Sequence, residues 1–120
     1  MQRFTELAVW QRSHALALDV YRATNDFPKE EAYGLSLQLR RAVVSVVADI
    51  AEGSKRRSNK DYSRILNLAE GSLAEVECLL MLGRDLGYLG ADAFGCLEDP
   101  ITEVASMLSG LRKRVEDGAK

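Results

Sequence analysis

The sequence predicts an all-α protein, an antiparallel up-down-up-down four-helix bundle in a single domain over residues 1–120. Three observations carry this. Apolar residues recur at three- and four-residue steps in four separate segments, no segment keeps the strict alternation of a half-buried strand, and the connections between segments are short enough to favour antiparallel neighbours. Composition agrees: 47% hydrophobic and 28% charged residues, with 9 Gly and only 2 Pro, describe a globular chain with little linker. A chain of 120 residues buries roughly two thirds of its unfolded surface, so self-association would add usefully to its stability.

The first helix is expected from about Thr5 to Thr24, with Leu7, Trp10, Ala17, Leu18 and Tyr21 on its core stripe. "NDFP" ends it, because Pro28 has no amide donor and restricts Phe27. The second runs from about Leu35 to Glu52 behind an irregular entry at Gly34, and buries Leu39, Ala42, Val43, Val46, Val47 and Ile50. Gly53 stands where a left-handed residue would stop it. The third, from about Asn59 to Leu86, opens on Ser58 and Asp61 at capping-box spacing. It carries two seams, one of Tyr62, Leu66, Ala69, Leu73, Val76 and Leu80, the other of Ile65, Leu68, Leu79, Leu82 and Leu86, a face wide enough for several neighbours. The fourth, about Ala93 to Glu116, repeats Phe94, Leu97, Ile101, Val104, Leu108, Leu111 and Val115 at bundle spacing; regular helix is expected only from Pro100 onward.

The N-terminus mixes charge with apolar residues and is not a secretory signal, while the most apolar stretch, Val76–Leu89, is too short for a bilayer and contains Glu77, Arg84 and Asp85. A cytoplasmic protein with no membrane role is expected. Cys78 and Cys96 lack CxxC spacing and read as reduced structural thiols.

Catalysis has no support. The only histidine, His14, sits among Arg12, Ser13 and Ala15 with no nucleophile or orienting group, and reads as a partly buried packing residue. Glu70, Glu75 and Glu77 lack the Glu-x-x-His partners of bundle metal sites. No enzyme, metal or cofactor is expected. Arg40 and Arg41 flank core positions, so at least one guanidinium should lie against the helices and need a carboxylate from Glu52, Glu70 or Glu75. The plainer expectation leaves Arg40 solvated and gives Arg41 an ordinary ion pair.

One segment departs from the chain's net charge of −2: between Ser54 and Arg64, Lys55, Arg56, Arg57, Lys60 and Arg64 face only Asp61. These five are the candidate nucleic-acid contacts. On a lone monomer such a turn is an ordinary solvated connector. Repeated around a homo-oligomer, such turns would pool their charges on one surface, and phosphate contacts add through counterion release. No aromatic lies between Ser54 and Asp61, so backbone tracking is favoured over base stacking. The second basic run, Arg112 to Arg114, closes the fourth helix where cations suit the helix dipole, so a structural role is expected ahead of a further contribution to binding.

"ELAVWQRSHALALDVY", "FPKEEAYGLSLQLRRAVVSVVADIAEG" and "LNLAEGSLAEVECLLMLGRDLGYL" together resemble the four-helix bundle proteins encoded in intervening sequences of bacterial 23S ribosomal RNA genes. The resemblance covers Phe4 to Leu89. Its specific positions include Trp10, Phe27-Pro28, Tyr33-Gly34-Leu35, Gln38, Arg40-Arg41-Ala42, Ser45, Ile50-Ala51-Glu52-Gly53 and Gly71-Ser72. It is similar also to the accessory variability proteins of diversity-generating retroelements, and this implies a homopentamer that binds RNA or DNA beside a reverse transcriptase. One departure is plain: Val46, Val47, Ala48 and Asp49 replace the usual Ile-Pro-x-Asn, so the helix-kinking proline is missing and a carboxylate replaces an amide.

Two readings follow. One is a non-enzymatic nucleic-acid-binding accessory protein acting as a ring; the other is a purely structural module that assembles with other proteins, favoured by the acidic pI of 5.4.

Overall fold

A computed structural model of the protein describes residues 3–118. Among them are four α-helices and no strand: α1 (Ala8–Thr24), α2 (Leu35–Gly53), α3 (Asn59–Asp85) and α4 (Ala91–Glu116), with short 3-10 turns at Phe4–Glu6 and Lys29–Glu31. α1 and α3 each pack on α2 and α4, around one core that includes Leu16, Leu39, Val46, Leu66, Leu80 and Leu108.

The first helix is shorter than expected. Leu7 is extended, and Arg3 and Glu6 close a separate turn in which the Arg3 amide donates to Glu6 Oε1 at 2.9 Å. Its buried face also differs. Val9, Ser13, Leu16, Val20 and Thr24 point inward, whereas Leu18 and Tyr21 are 45% and 41% exposed. Two hydroxyls are compatible with the core because each donates to its own helix: Ser13 Oγ to the Val9 carbonyl and Thr24 Oγ1 to the Val20 carbonyl.

Gly53 is the last residue of α2 and is not left-handed, contrary to the expected helix stop. Its role is space: a Cβ there would stand 3.1 Å from Tyr62 Cδ1 and 3.2 Å from Ile65 Cγ2, so α3 crosses closely enough that a side chain would have to push these neighbours back by a few tenths of an ångström. Left-handed glycines lie instead after α3, at Gly87 with φ of 84°, where the Tyr88 amide reaches back to the Gly83 carbonyl, and after α4, at Gly118 with φ of 81°.

On α3 the first seam is in the core, but the second is divided: Ile65 and Leu79 are buried, and Leu68, Leu82 and Leu86 stay about half exposed. α4 starts at Ala91 and continues through Pro100, with Phe94 and Leu97 already buried ahead of the proline. Pro100 is thus the tenth residue of α4, an interior position where one intrahelical hydrogen bond is given up, and the side chains packed on both sides of it hold the helix together.

Candidate nucleic-acid interface

The α2–α3 connection is set from both sides. Ser54 Oγ donates to the Ala51 carbonyl at 2.7 Å, and the Lys55 and Arg56 amides fold back onto Glu52 and Gly53, closing α2. Ser58 Oγ then accepts the Asp61 amide at 3.1 Å and opens α3, which is half of the expected capping box; the Asp61 carboxylate pairs with Arg64 and not with the Ser58 amide. Between these caps Lys55, Arg56, Arg57 and Ser58 are exposed, and Lys60 and Arg64 are exposed on the first turns of α3.

The five predicted contacts are not equivalent. Arg56 pairs with Glu52 and approaches Asp61, with Nε 3.6 Å from Oδ2; Arg64 donates to Asp61 Oδ1 through Nε at 3.0 Å and Nη2 at 2.8 Å. Lys55, Arg57 and Lys60 have no ion pair among the described residues. The end of α4 meets the same place: Ser63 Oγ donates to Glu116 Oε2 at 2.7 Å, and Arg112 reaches Glu116 at 3.1 Å while pairing with Glu70. Those hydrogen bonds, from Ser63 first and Arg112 second, hold the Glu116 carboxyl below the usual glutamate range. Arg112 is thus structural, as its position at the helix end suggests, and Lys113 and Arg114 remain exposed beside it. The sequence offers this basic run only as a lesser contributor and does not locate it beside the turn, because nothing local says where a helix end will dock.

Other expectations are revised. Arg40 is neither solvated nor paired with a carboxylate: it donates to Thr24 Oγ1 at 2.8 Å, the Tyr21 carbonyl at 3.2 Å and Asn25 Oδ1 at 2.9 Å, and lies 4.7 Å from the Tyr21 ring centroid. Arg41 is exposed with no ion pair among the described residues. Glu52 and Glu70 serve Arg56 and Arg112 instead. His14 is exposed, stacked on Trp10 with ring centroids 4.8 Å apart. Cys78 and Cys96 are free and exposed, so neither is a packing thiol. Among the described residues no cluster of three or more His, Cys, Asp or Glu is placed to hold a metal, and no helix is long and apolar enough to cross a membrane.

Of the apolar residues expected on the α1 stripe, Leu7, Trp10 and Ala17 do pack against the core, while Trp10 and Ala17 also join the exposed Leu18 and Tyr21 in lining an open groove. Trp10, His14, Leu18 and Tyr21 of α1 face Val44 and Ala48 of α2 across it.

A model of the 23S rRNA-intervening sequence proteins matches residues 5–110. The chain belongs to that family. Membership accounts for the motifs read from Phe4 to Leu89 and carries the likeness on into α4. The fold is also that of a protein of unknown function from the S23 ribosomal protein family of Bacteroides thetaiotaomicron, with a TM-score of 0.80, 23% identity, and coverage of 88% of this chain and 99% of that one. At that identity the likeness speaks for the fold alone. No curated protein sequence matches this member of the family.

Proposed function

We propose that the protein is a non-enzymatic nucleic-acid-binding accessory protein, active as a homo-oligomer, that tracks phosphate backbone with the α2–α3 turn. The observation that carries this is the company of the turn: Lys55, Arg57 and Lys60 are exposed without carboxylate partners among the described residues, and the end of α4 brings Lys113 and Arg114 to the same end. We take the helices as an antiparallel up-down-up-down bundle, supported by contacts whose numbers run in opposite senses, Ser63 with Glu116 and Glu70 with Arg112. In that arrangement residues 3–14, 46–71 and 105–118 form the turn end, with ten basic and seven acidic side chains. The remaining 15–45 and 72–104 carry five basic and eleven acidic ones. The bundle is then electrically polar, and an acidic pI is compatible with one phosphate-seeking end.

The family resemblance suggests a ring of five, which would multiply that end around one surface, a cytoplasmic setting, and a reverse transcriptase as a protein partner. Structured RNA is the first ligand to test, given the family's description as 23S rRNA-intervening sequence proteins. Fluorescence anisotropy with labelled RNA and duplex DNA across a salt series should give sequence-tolerant binding whose log affinity falls linearly with log salt. Absence of binding to either at low salt would replace this reading with the assembly module. That second reading has its own support, because six of the eight large exposed hydrophobic residues, Leu18, Tyr21, Val44, Leu68, Leu82 and Leu86, fall on two bands.

A further inference from the structure

We propose that the groove between α1 and α2 receives the outer stripe of α3 from a second copy of the chain, in a head-to-tail contact. The inference rests on the homo-oligomer reading above and specifies its interface.

The two bands share no residue. Leu18, Tyr21 and Val44 belong to the groove, and Leu68, Leu82 and Leu86 to α3, each 41–53% exposed. One chain can therefore offer a groove to one neighbour and a stripe to another. Their shapes are complementary. The groove has a floor of small side chains, Ala48 and Ala51 from α2 and Ala17 from α1, and encloses about 360 Å³. The stripe is a ridge: Leu68, Ser72, Glu75, Leu79, Leu82 and Leu86 follow each other at steps of four and three residues, the seam with which one helix packs on others. Only Leu79 of its leucines is buried within its own chain.

Length and charge agree. The groove runs into a second hollow that shares Tyr21 and Val44 and reaches Leu37, so its α2 wall extends from Leu37 to Ala51. That wall spans roughly 21 Å at 1.5 Å per residue, enough to take the stripe from Leu68 to Leu82 with Leu86 lying just beyond it. The hollow presents Arg41, and the stripe presents Glu75 between its leucines; both are exposed and neither has an ion pair among the described residues. A second copy thus offers apolar ridge and acid together to a groove that lacks both. Because the surfaces differ, the contact is heterologous, and repetition closes a ring when the rotation per subunit divides a full turn.

The test uses the full chain with Val44→Glu, which blocks the groove, and Leu82→Glu, which blocks the stripe, both surface positions. Light scattering coupled to gel filtration should show each variant alone at the 13.3 kDa chain mass. Mixing them should restore a species of twice that mass and no larger, because one intact groove and one intact stripe remain. An oligomeric Leu82→Glu protein, or a mixture that stays monomeric, overturns the contact while leaving self-association standing. A monomeric wild type removes the homo-oligomer reading itself. A partner helix from another protein would give that last result together with saturable binding of an acidic, leucine-rich helical peptide. Circular dichroism checks folding, and Val44→Ser with Leu82→Ser repeats the mixing experiment should either glutamate variant lose its helices.

Discussion

Arg56 Nε lies 3.6 Å from Asp61 Oδ2 across the α2–α3 turn, while its other face pairs with Glu52 one helical turn back. Asp61 is engaged in turn by Arg64 at 2.8 Å. Two arginines and two carboxylates therefore form a neutral bracket at the base of the turn. The charges free for phosphate are Lys55, Arg57 and Lys60, which stand outside it.

Replacing Lys55, Arg57 and Lys60 together by Ser should weaken nucleic-acid binding across unrelated sequences. Each lost phosphate contact should lower the log-log salt slope by about 0.9 on duplex DNA or about 0.7 on single strands. Arg56→Ser should leave the slope unchanged, and stability should move by no more than about 0.5 kcal/mol because the pair is exposed. Equal losses of slope for the triple variant and for Arg56→Ser would show that the bracket opens to bind.

Gly53→Ala sets two effects against each other. Removing a glycine from a helix gains up to about 1 kcal/mol, whereas forcing a methyl into packed surroundings costs about 1–3 kcal/mol. The new Cβ would meet a rigid ring at Tyr62 and the buried Ile65 at 3.1–3.2 Å, so packing should win and stability should fall by about 1 kcal/mol. Urea denaturation measures it. A stabilised variant would mean that α3 can shift outward freely and that the turn is less firmly held than its contacts imply.

Asp49 puts a carboxylate where the resemblance drawn from the sequence implies an amide. Burial, and secondarily the nearby Glu52, push its pKa above the ordinary aspartate value of 3.8. A raised carboxyl pKa means that the folded state disfavours the charge, so ionised Asp49 opposes folding at neutral pH. That opposition fades as pH falls through the raised folded value and is gone below the unfolded one. Asp49→Asn should accordingly raise the melting temperature at pH 7, with the advantage shrinking as pH approaches 4. An advantage that is constant with pH would assign the effect to packing.

The number and order of helices were legible because long amphipathic segments leave few alternatives, and the Ser58 cap because its chemistry is local. The α1 face was misread. Its true core positions include Ser13 and Thr24, which look polar but satisfy themselves within the helix, whereas Leu18 and Tyr21 look like core and line the groove. Hydrophobicity alone cannot tell a face buried within a chain from one open to a partner. Gly53 was misassigned for a similar reason: close approach by Tyr62 is a long-range fact, and glycine is used both for that and for left-handed turns. Of the basic turn, the sequence revealed the charges but not which of them Glu52 and Asp61 occupy.

Arg40 joins α2 to the end of α1 through neutral acceptors alone, Thr24 Oγ1, the Tyr21 carbonyl and Asn25 Oδ1, with its guanidinium over the Tyr21 ring. Arg40→Ala should cost about 1–2 kcal/mol, since three hydrogen bonds are lost where water replaces them only in part. Arg40→Lys should recover less than half of that, because an ammonium cannot make the planar fork and stack on the ring together. The partners are uncharged, so the difference between wild type and Arg40→Ala in urea denaturation should be the same in dilute buffer and in about 1 M salt, where ionic interactions are screened within about 3 Å. A stability difference that halves in high salt would mean that a carboxylate supports Arg40 after all, and that the bond network at the end of α1 is not what holds it.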